Sequence, residues 1–298
     1  RRTYKFEKMT MSENLNTLKD WIGNTETIHD FISPTTIAGM SATLDRDDAD
    51  PVFGDAIPAS WHWLFFNKAA KRSQLGIDGH PARGGFLPPV PLPRRMWAGS
   101  KVDLLKPLEV GSKITRLSTI ENVTIKEGKT GPLVFVDINH QVSGNDGTAV
   151  TDLQTVVYRD NPEKTNAPSQ NNSKAKPLPG NALWSETFTP DTVLLFRYSA
   201  LTFIGHRIHY DRDYTINEEG YPALLVHGPL TATILLDLCR RRLPEREITG
   251  FHVRATGPLF DNAPFTIHGK MADSQSDAEL WAVNPDGELA MSIAVKLA

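Results

Sequence analysis

The sequence predicts an α+β protein in two halves of similar build, each an antiparallel sheet wrapping a central helix, and three observations carry that expectation. The run from Asn161 to Gly180 has almost no residue able to anchor a core, and it divides the 298-residue chain into two stretches of ordinary domain size. Each stretch contains a helical pattern followed by several runs rich in Val, Ile, Thr and Phe. Turn-forming residues separate those runs closely enough for neighbours to pair as hairpins.

In the first stretch, Leu15 to Ile22 and Thr35 to Leu44 read as helical. The run Pro88-Pro89-Val90-Pro91-Leu92-Pro93 ends any helix before it, because proline has no amide to donate. Strands are expected at Arg95 to Leu104, Lys113 to Lys126, Leu133 to Ser143 and Ala149 to Arg159, with turns at Glu127 to Gly131 and Gly144 to Gly147. The second stretch begins with Val193 to Thr202 and has its strongest helix at Gly228 to Arg242. Strands follow at Ile248 to Ala255, Phe265 to Ala272, Ala278 to Asn284 and Leu289 to Leu297, the last two joined by a hairpin at Asn284-Pro285-Asp286-Gly287. Two such halves can join their sheets edge to edge and so remove an exposed edge. The domains expected are 15–160 and 181–298, with 161–180 as linker.

Composition narrows the function. A net charge of -3 and a pI near 6.3, with both signs mixed throughout, leave no basic footprint for nucleic acid. No apolar run reaches the length of a membrane span, and mean hydropathy is -0.32. The lone cysteine, Cys239, rules out an internal disulfide and a thiolate metal cage, so a reducing compartment is expected, mitochondrial matrix or cytoplasm. The basic opening Arg1-Arg2-Thr3-Tyr4-Lys5 lacks an apolar signal core and reads as a trimmed leader or a ragged end. The cluster Trp61, Trp63, Phe65 and Phe66 is read as core in preference to an acyl tunnel. His252 and His268 have no companion ligands, and neither Gly84-Gly85 nor Gly128 to Gly131 continues into a phosphate loop, so neither metal nor cofactor is expected.

The chemistry concentrates between Arg197 and Gly228, where His206, His209, His227 and Asp211 crowd a loop beside a helix start. Such polar residues are costly unless partnered or used. The first amides of a helix starting at Gly228 lack intrahelical partners and can hold a developing negative charge. An ordinary helix start with Pro229 in its first turn explains the same residues without a ligand.

His209-Tyr210-Asp211 followed by Leu224-Leu225-Val226-His227-Gly228 resembles the signature of MaoC-like hydratases. Phe203, His206-Arg207-Ile208-His209-Tyr210-Asp211 and Glu219-Gly220-Tyr221-Pro222 resemble the branch holding itaconyl-CoA and mesaconyl-C4-CoA hydratases and mitochondrial 3-hydroxyacyl-thioester dehydratases. Arg94 to Ser100 and Lys126 to Val136 are similar to the amino-terminal domain of that branch. The resemblance implies a double hot-dog fold and a hydro-lyase acting on an acyl-CoA or acyl-carrier thioester. It makes His209 the acid/base and the Gly228 amide the donor to the thioester oxygen. His206 and Tyr198 are expected as further catalytic or orienting groups. Arg197, Arg207 and Asp211 are expected at the substrate, with Arg212 a further cation. Ile204 departs from the pattern: it stands where the motif has a polar catalytic partner, and an isoleucine neither takes a proton nor orients water. Three readings therefore remain: a hydratase or dehydratase; a hot-dog enzyme of another reaction, such as a thioesterase or an isomerase of a specialised metabolite; and a degenerate thioester-binding scaffold. A double hot-dog completes a dimer-like unit within one chain, so a homodimer is compatible but not required.

Overall fold

Val, Ile and Thr side chains in alternation favour pleated strands, and ten of these pair antiparallel into one sheet in a computed structural model that describes residues 15–128, 131–160, 177–274 and 276–298. The first half supplies β1 (Thr25–Phe31), β2 (Arg94–Leu104), β3 (Lys113–Gly128), β4 (Gly131–Gly144) and β5 (Gly147–Arg159). The second supplies β6 (Trp184–Phe188), β7 (Ile248–Ala255), β8 (Phe265–Met271), β9 (Ala278–Val283) and β10 (Leu289–Leu297). The helices are α1 (Pro34–Thr43), α2 (Thr192–Leu201), α3 (Arg212–Asn217) and α4 (Gly228–Arg242). The strand order is β1-β3-β4-β5-β2-β7-β10-β9-β8-β6. The halves meet where β2 pairs with β7, from Gly99 opposite Arg254 to Asp103 opposite Gly250. Most of the segment read as a linker, residues 161–176, lies outside the described residues, as do the opening residues 1–14.

The double hot-dog expectation holds, with one difference between the halves. In the second, every residue of α4 from Leu230 to Cys239 is buried, and the helix fills the concave face of β7 to β10. Its buried stretch is mostly Leu, Ile and Ala, and the buried Thr233 hydroxyl and Asp237 carboxylate have partners, as a core position requires. In the first, α1 is shorter and packs on α2 of the other half, and the long connection from Leu44 to Pro93 holds only the 3-10 turns Trp61–Leu64 and Arg72–Gln74. The first sheet is therefore not filled by a long helix of its own. Toward the far end of the face that lines the interior, Leu15, Leu18, Val90 and Leu92 pack on Ile120, Val136 and Tyr158.

Charge ties the halves together at the far end of α4. Asp237, buried within the helix, receives Arg46 of the first half at 2.8 Å and Arg240 and Arg241 at 2.9 Å each. Arg240 also reaches Asp48 at 2.9 Å, and Arg241 reaches Glu186 at 2.7 Å. Cations in the last turn suit the negative end of the helix dipole.

Candidate active site

The position of His209 follows from its neighbours in sequence. Asp211 caps α3 by accepting from the Tyr214 amide at 3.0 Å, and the 3-10 turn Arg207–His209 immediately precedes it. The Leu225 amide donates to the Ile208 carbonyl at 3.0 Å, and His209 Nδ1 lies 2.8 Å from the Leu225 carbonyl. A carbonyl only accepts, so Nδ1 carries the proton and Nε2 keeps the lone pair. Burial holds the His209 pKa down to about 4, so the ring is neutral at physiological pH. His227, the residue capping α4, stacks on it with centroids 3.6 Å apart. His227 Nε2 lies 2.9 Å from Ser199 Oγ, and Tyr198 packs edge-on against the same ring at 4.9 Å. His206 lies on the other side, its ring perpendicular to His209 at 5.5 Å.

The first half contributes a turn that the motif did not reveal. Leu75 bridges to Pro81, and the turn between them presents Asp78 and His80 to the motif loop. The Arg207 amide donates to the Asp78 carbonyl at 2.9 Å and Arg207 Nη1 to the Ile77 carbonyl at 3.1 Å. The approach is close enough to require glycine: a Cβ on Gly79, whose φ is +84°, would stand 1.9 Å from the Gly205 carbonyl oxygen. His80 stacks obliquely on His206 at 4.1 Å. The Asp78 carboxylate accepts from the His80 amide at 3.0 Å and lies 3.3 Å from His80 Nδ1. Burial lowers the pKa of His80, and that of His206 to about 2. Burial alone would raise the Asp78 carboxyl, but the hydrogen bonds and charge of His80 outweigh it and hold the group well below the usual carboxylate range.

Asp78, His80 and His206 each bring one ligand atom within 4.8 Å of the others, the one set among the described residues able to approach a metal ion. The carboxylate is turned onto His80, with which it would have to share the ion, so the set is read as a hydrogen-bonded pair facing a third ring. Spacing along the chain does not reveal it because Asp78 and His206 belong to different halves.

A cavity of about 1220 Å³ lies between the halves. Phe196, Phe203 and Tyr210 line it and are exposed, which places them at its mouth. His80, Ile204, Gly205, Tyr198, Ser199 and Pro229 form the wall nearest the motif. Farther in, the sheet of the first half contributes a polar set. His140 Nδ1 lies 2.7 Å from Ser118 Oγ, Trp63 Nε1 donates to Asp152 at 2.8 Å, and His62 stands 3.5 Å from the same carboxylate. Burial brings the His140 pKa down to about 4.

The nominated residues separate into two groups. His209, His206, Tyr198 and Gly228 cluster around the start of α4, with Tyr198 on the cavity wall and His209 and Gly228 just behind it. A Cβ on Gly228 would stand 2.8 Å from the Trp97 ring, so close packing across the halves also requires that glycine. Arg197, Arg207 and Asp211, nominated for substrate binding, each have protein partners. Arg197 is exposed and donates to the Ala42 carbonyl at 3.3 Å, and Arg207 pairs with Asp211 at 2.7 Å beside the Tyr214 ring. Asp211 is occupied as the cap of α3. Arg212 likewise pairs with Asp261. Buried Arg94, beside Glu219 and Tyr221, pins β2 to the motif loop. The aromatic cluster is both core and wall: Trp61 is buried, while Trp63, Phe65 and Phe66 also line the cavity.

A neutral imidazole of fixed tautomer beside the start of a buried helix, next to a cavity between two sheet halves, defines a double hot-dog built for acid–base chemistry. The chain belongs to the hydroxyacyl-thioester dehydratase type 2 family, whose model matches residues 60–261. It is 42% identical to a mesaconyl-C(4)-CoA hydratase of Chloroflexus aurantiacus over 93% of this chain and 96% of that protein. It is 26% identical to a mitochondrial hydroxyacyl-thioester dehydratase type 2 of Schizosaccharomyces pombe, over 80% of this chain and 88% of that one. Among solved structures it is similar to a MaoC-like dehydratase from Phytophthora capsici, with a TM-score of 0.66 and 12% identity over 95% of this chain and 98% of that one. At that identity the likeness is one of fold.

Proposed function

We propose that this protein is an acyl-thioester hydro-lyase that adds water to, or removes it from, the 2,3-position of a short acyl chain. One observation carries the reading: the neutral His209, its Nδ1 proton committed to Leu225, is stacked on the cap of α4 next to amides that have no intrahelical partner. In the hydration direction His209 Nε2 takes a proton from water as the oxygen bonds to C3. The thioester oxygen gains negative charge against the amide of Gly228, and the proton is then delivered to C2. Dehydration is the reverse.

The family and the identity to a mesaconyl-C(4)-CoA hydratase support this reaction class. The charged and polar groups on the cavity wall support a short chain with a polar end. Arg95, Arg116, His140 and Gln154 all line the cavity and can meet such a polar end. Residues 15–160 and 181–298 serve as two domains sharing this one site. A reducing compartment suits the buried Cys239, whose thiol burial pushes up to about 11. Relatives from yeasts carry mitochondrial names, which supports the matrix as one such compartment.

The test is to incubate the protein with crotonyl-, mesaconyl- and itaconyl-CoA, following enoyl absorbance and free thiol together. Loss of absorbance without thiol is expected, fastest with the dicarboxylic chains. Thiol release would instead make the protein a thioesterase, and binding without turnover would make it a scaffold.

A further inference from the structure

Ile204 leaves a vacancy in the reaction just described. It lies on the cavity wall, where its side chain offers the attacking water no polar contact. Water that reacts at C3 needs its oxygen aimed as well as its proton removed, and His209 supplies only the second function.

Three observations identify a replacement from the other half of the molecule. Of His80, His206 and His209, only His80 lines the cavity. Its backbone amide and Nδ1 both face the Asp78 carboxylate, at 3.0 and 3.3 Å, and Nε2 has no hydrogen-bond partner among the described residues. The turn that carries it is fastened to the motif loop by the Arg207 amide and by the glycine-to-glycine contact at Gly79 and Gly205. Such fastening places a side chain from one half against chemistry in the other.

Resting on the proposed hydro-lyase activity, we infer that His80 orients the reacting water in place of the missing polar residue at 204, and that Asp78 positions His80 for the task. Asp78 holds the proton on Nδ1, leaving the Nε2 lone pair to accept a hydrogen bond from the hydrogen of water that is not transferred. The other O–H bond breaks, with its proton passing to His209 Nε2 as the oxygen bonds to C3. The π electrons move through C2 to the thioester oxygen, then return to form the C2–H bond with the proton that His209 carries. His80 stays neutral throughout, and the product contains one added water.

The experiment is steady-state hydration by the full chain as wild type, H80L, H80Q, D78N, the double variants D78N/H80Q and I204N/H80L. H80L is expected to lose about thirtyfold in kcat with KM changed less than about threefold, the pattern of a group that acts on the reacting water. H80Q keeps an acceptor and loses less. I204N, which returns a polar group to the wall, recovers at least about threefold of the H80L loss. D78N lowers kcat in the wild type but adds nothing in the H80Q background, because it acts through the imidazole. Should H80L fail to fold, H80Q and the D78N cycle decide alone. A wild type that turns over while H80L keeps more than half its kcat, or an equal D78N loss in both backgrounds, overturns the role of His80 and leaves the hydro-lyase standing. Turnover lost to a chelator and restored by zinc also overturns it, making the three residues metal ligands. A wild type inactive on every enoyl thioester removes both readings together.

Discussion

The two halves of the sheet contain the same kind of strands but are filled differently. In the second half the long α4 occupies the concave face, and its start holds His209 and His227 in contact. In the first half α1 packs on α2, and the face of β3, β4 and β5 is left to line a cavity. One half therefore holds a desolvated pair of imidazoles, which the proposed reaction uses for proton transfer, and the other lines the room for a substrate. The difference shows how a duplicated fold produces an asymmetric site: an element is shortened on one side, and the turn that carries Asp78 and His80 is brought across.

The sharpest way to test this asymmetry is to remove an imidazole from each half. His209→Ala should cost roughly 10³-fold in kcat with an unchanged circular dichroism spectrum. His140→Gln should cost less than about tenfold and alter the preference among acyl chains. Equal losses would mean that His140 takes part in the chemistry and not only in recognising the acyl chain.

The junction between halves comes next. Asp237→Asn leaves Arg46, Arg240 and Arg241 without their shared buried carboxylate and should cost about 3 kcal/mol in urea unfolding. A loss below about 0.5 kcal/mol would show that the ion pairs do not hold the halves together. Gly79→Ala should lower kcat about tenfold and cost roughly 1 kcal/mol or more of stability, because the positive φ strains an alanine and the added Cβ forces the turn away from Gly205. Retention of full activity would show that the contact between the loops is not needed.

The smallest effect is in acid. The pKa values of His140 and His209 are both lowered to about 4 by burial, below the unfolded value near 6.5. The unfolded chain then binds more protons between those two values, so this contribution to stability is complete above pH 6.5, declines as pH falls and levels off below about 4. The urea midpoint should drop between pH 7 and 4.5, and replacing His140 with Gln should flatten that drop. A midpoint independent of pH would contradict the burial of these rings.

Much of this architecture was legible in the sequence because its strongest signals are long. The strands β2 to β5 and β7 to β10 carry dense β-branched runs, and α4 begins and ends where its apolar run and basic last turn place it. β1 and β6 were not read. They are the outermost strands, each paired on one side only, and residues such as Thr25-Glu26-Thr27 look like loop when one face meets solvent. The site was half legible. The motif nominated His209 and the start of α4, but Asp78 and His80 meet the motif only through tertiary contact, and the signal for them is local: Asp78-Gly79 in a turn, followed by His80-Pro81. Sequence does not distinguish a guanidinium that faces substrate from one that ties loops together, and the protein contacts of Arg197 and Arg207 are of the second kind. The cavity was not legible because it results from a helix that the first half lacks.

The most direct measurement of the central claim is isotope incorporation. Mesaconyl- and crotonyl-CoA are incubated with the protein in D₂O, and the products are examined by mass spectrometry. The account predicts an intact thioester bearing a new hydroxyl at C3 and one deuterium at C2 with the wild type, and unreacted enoyl thioester with His209→Ala. Free CoA in place of hydrated thioester, or equal deuterium incorporation by wild type and His209→Ala, would contradict it.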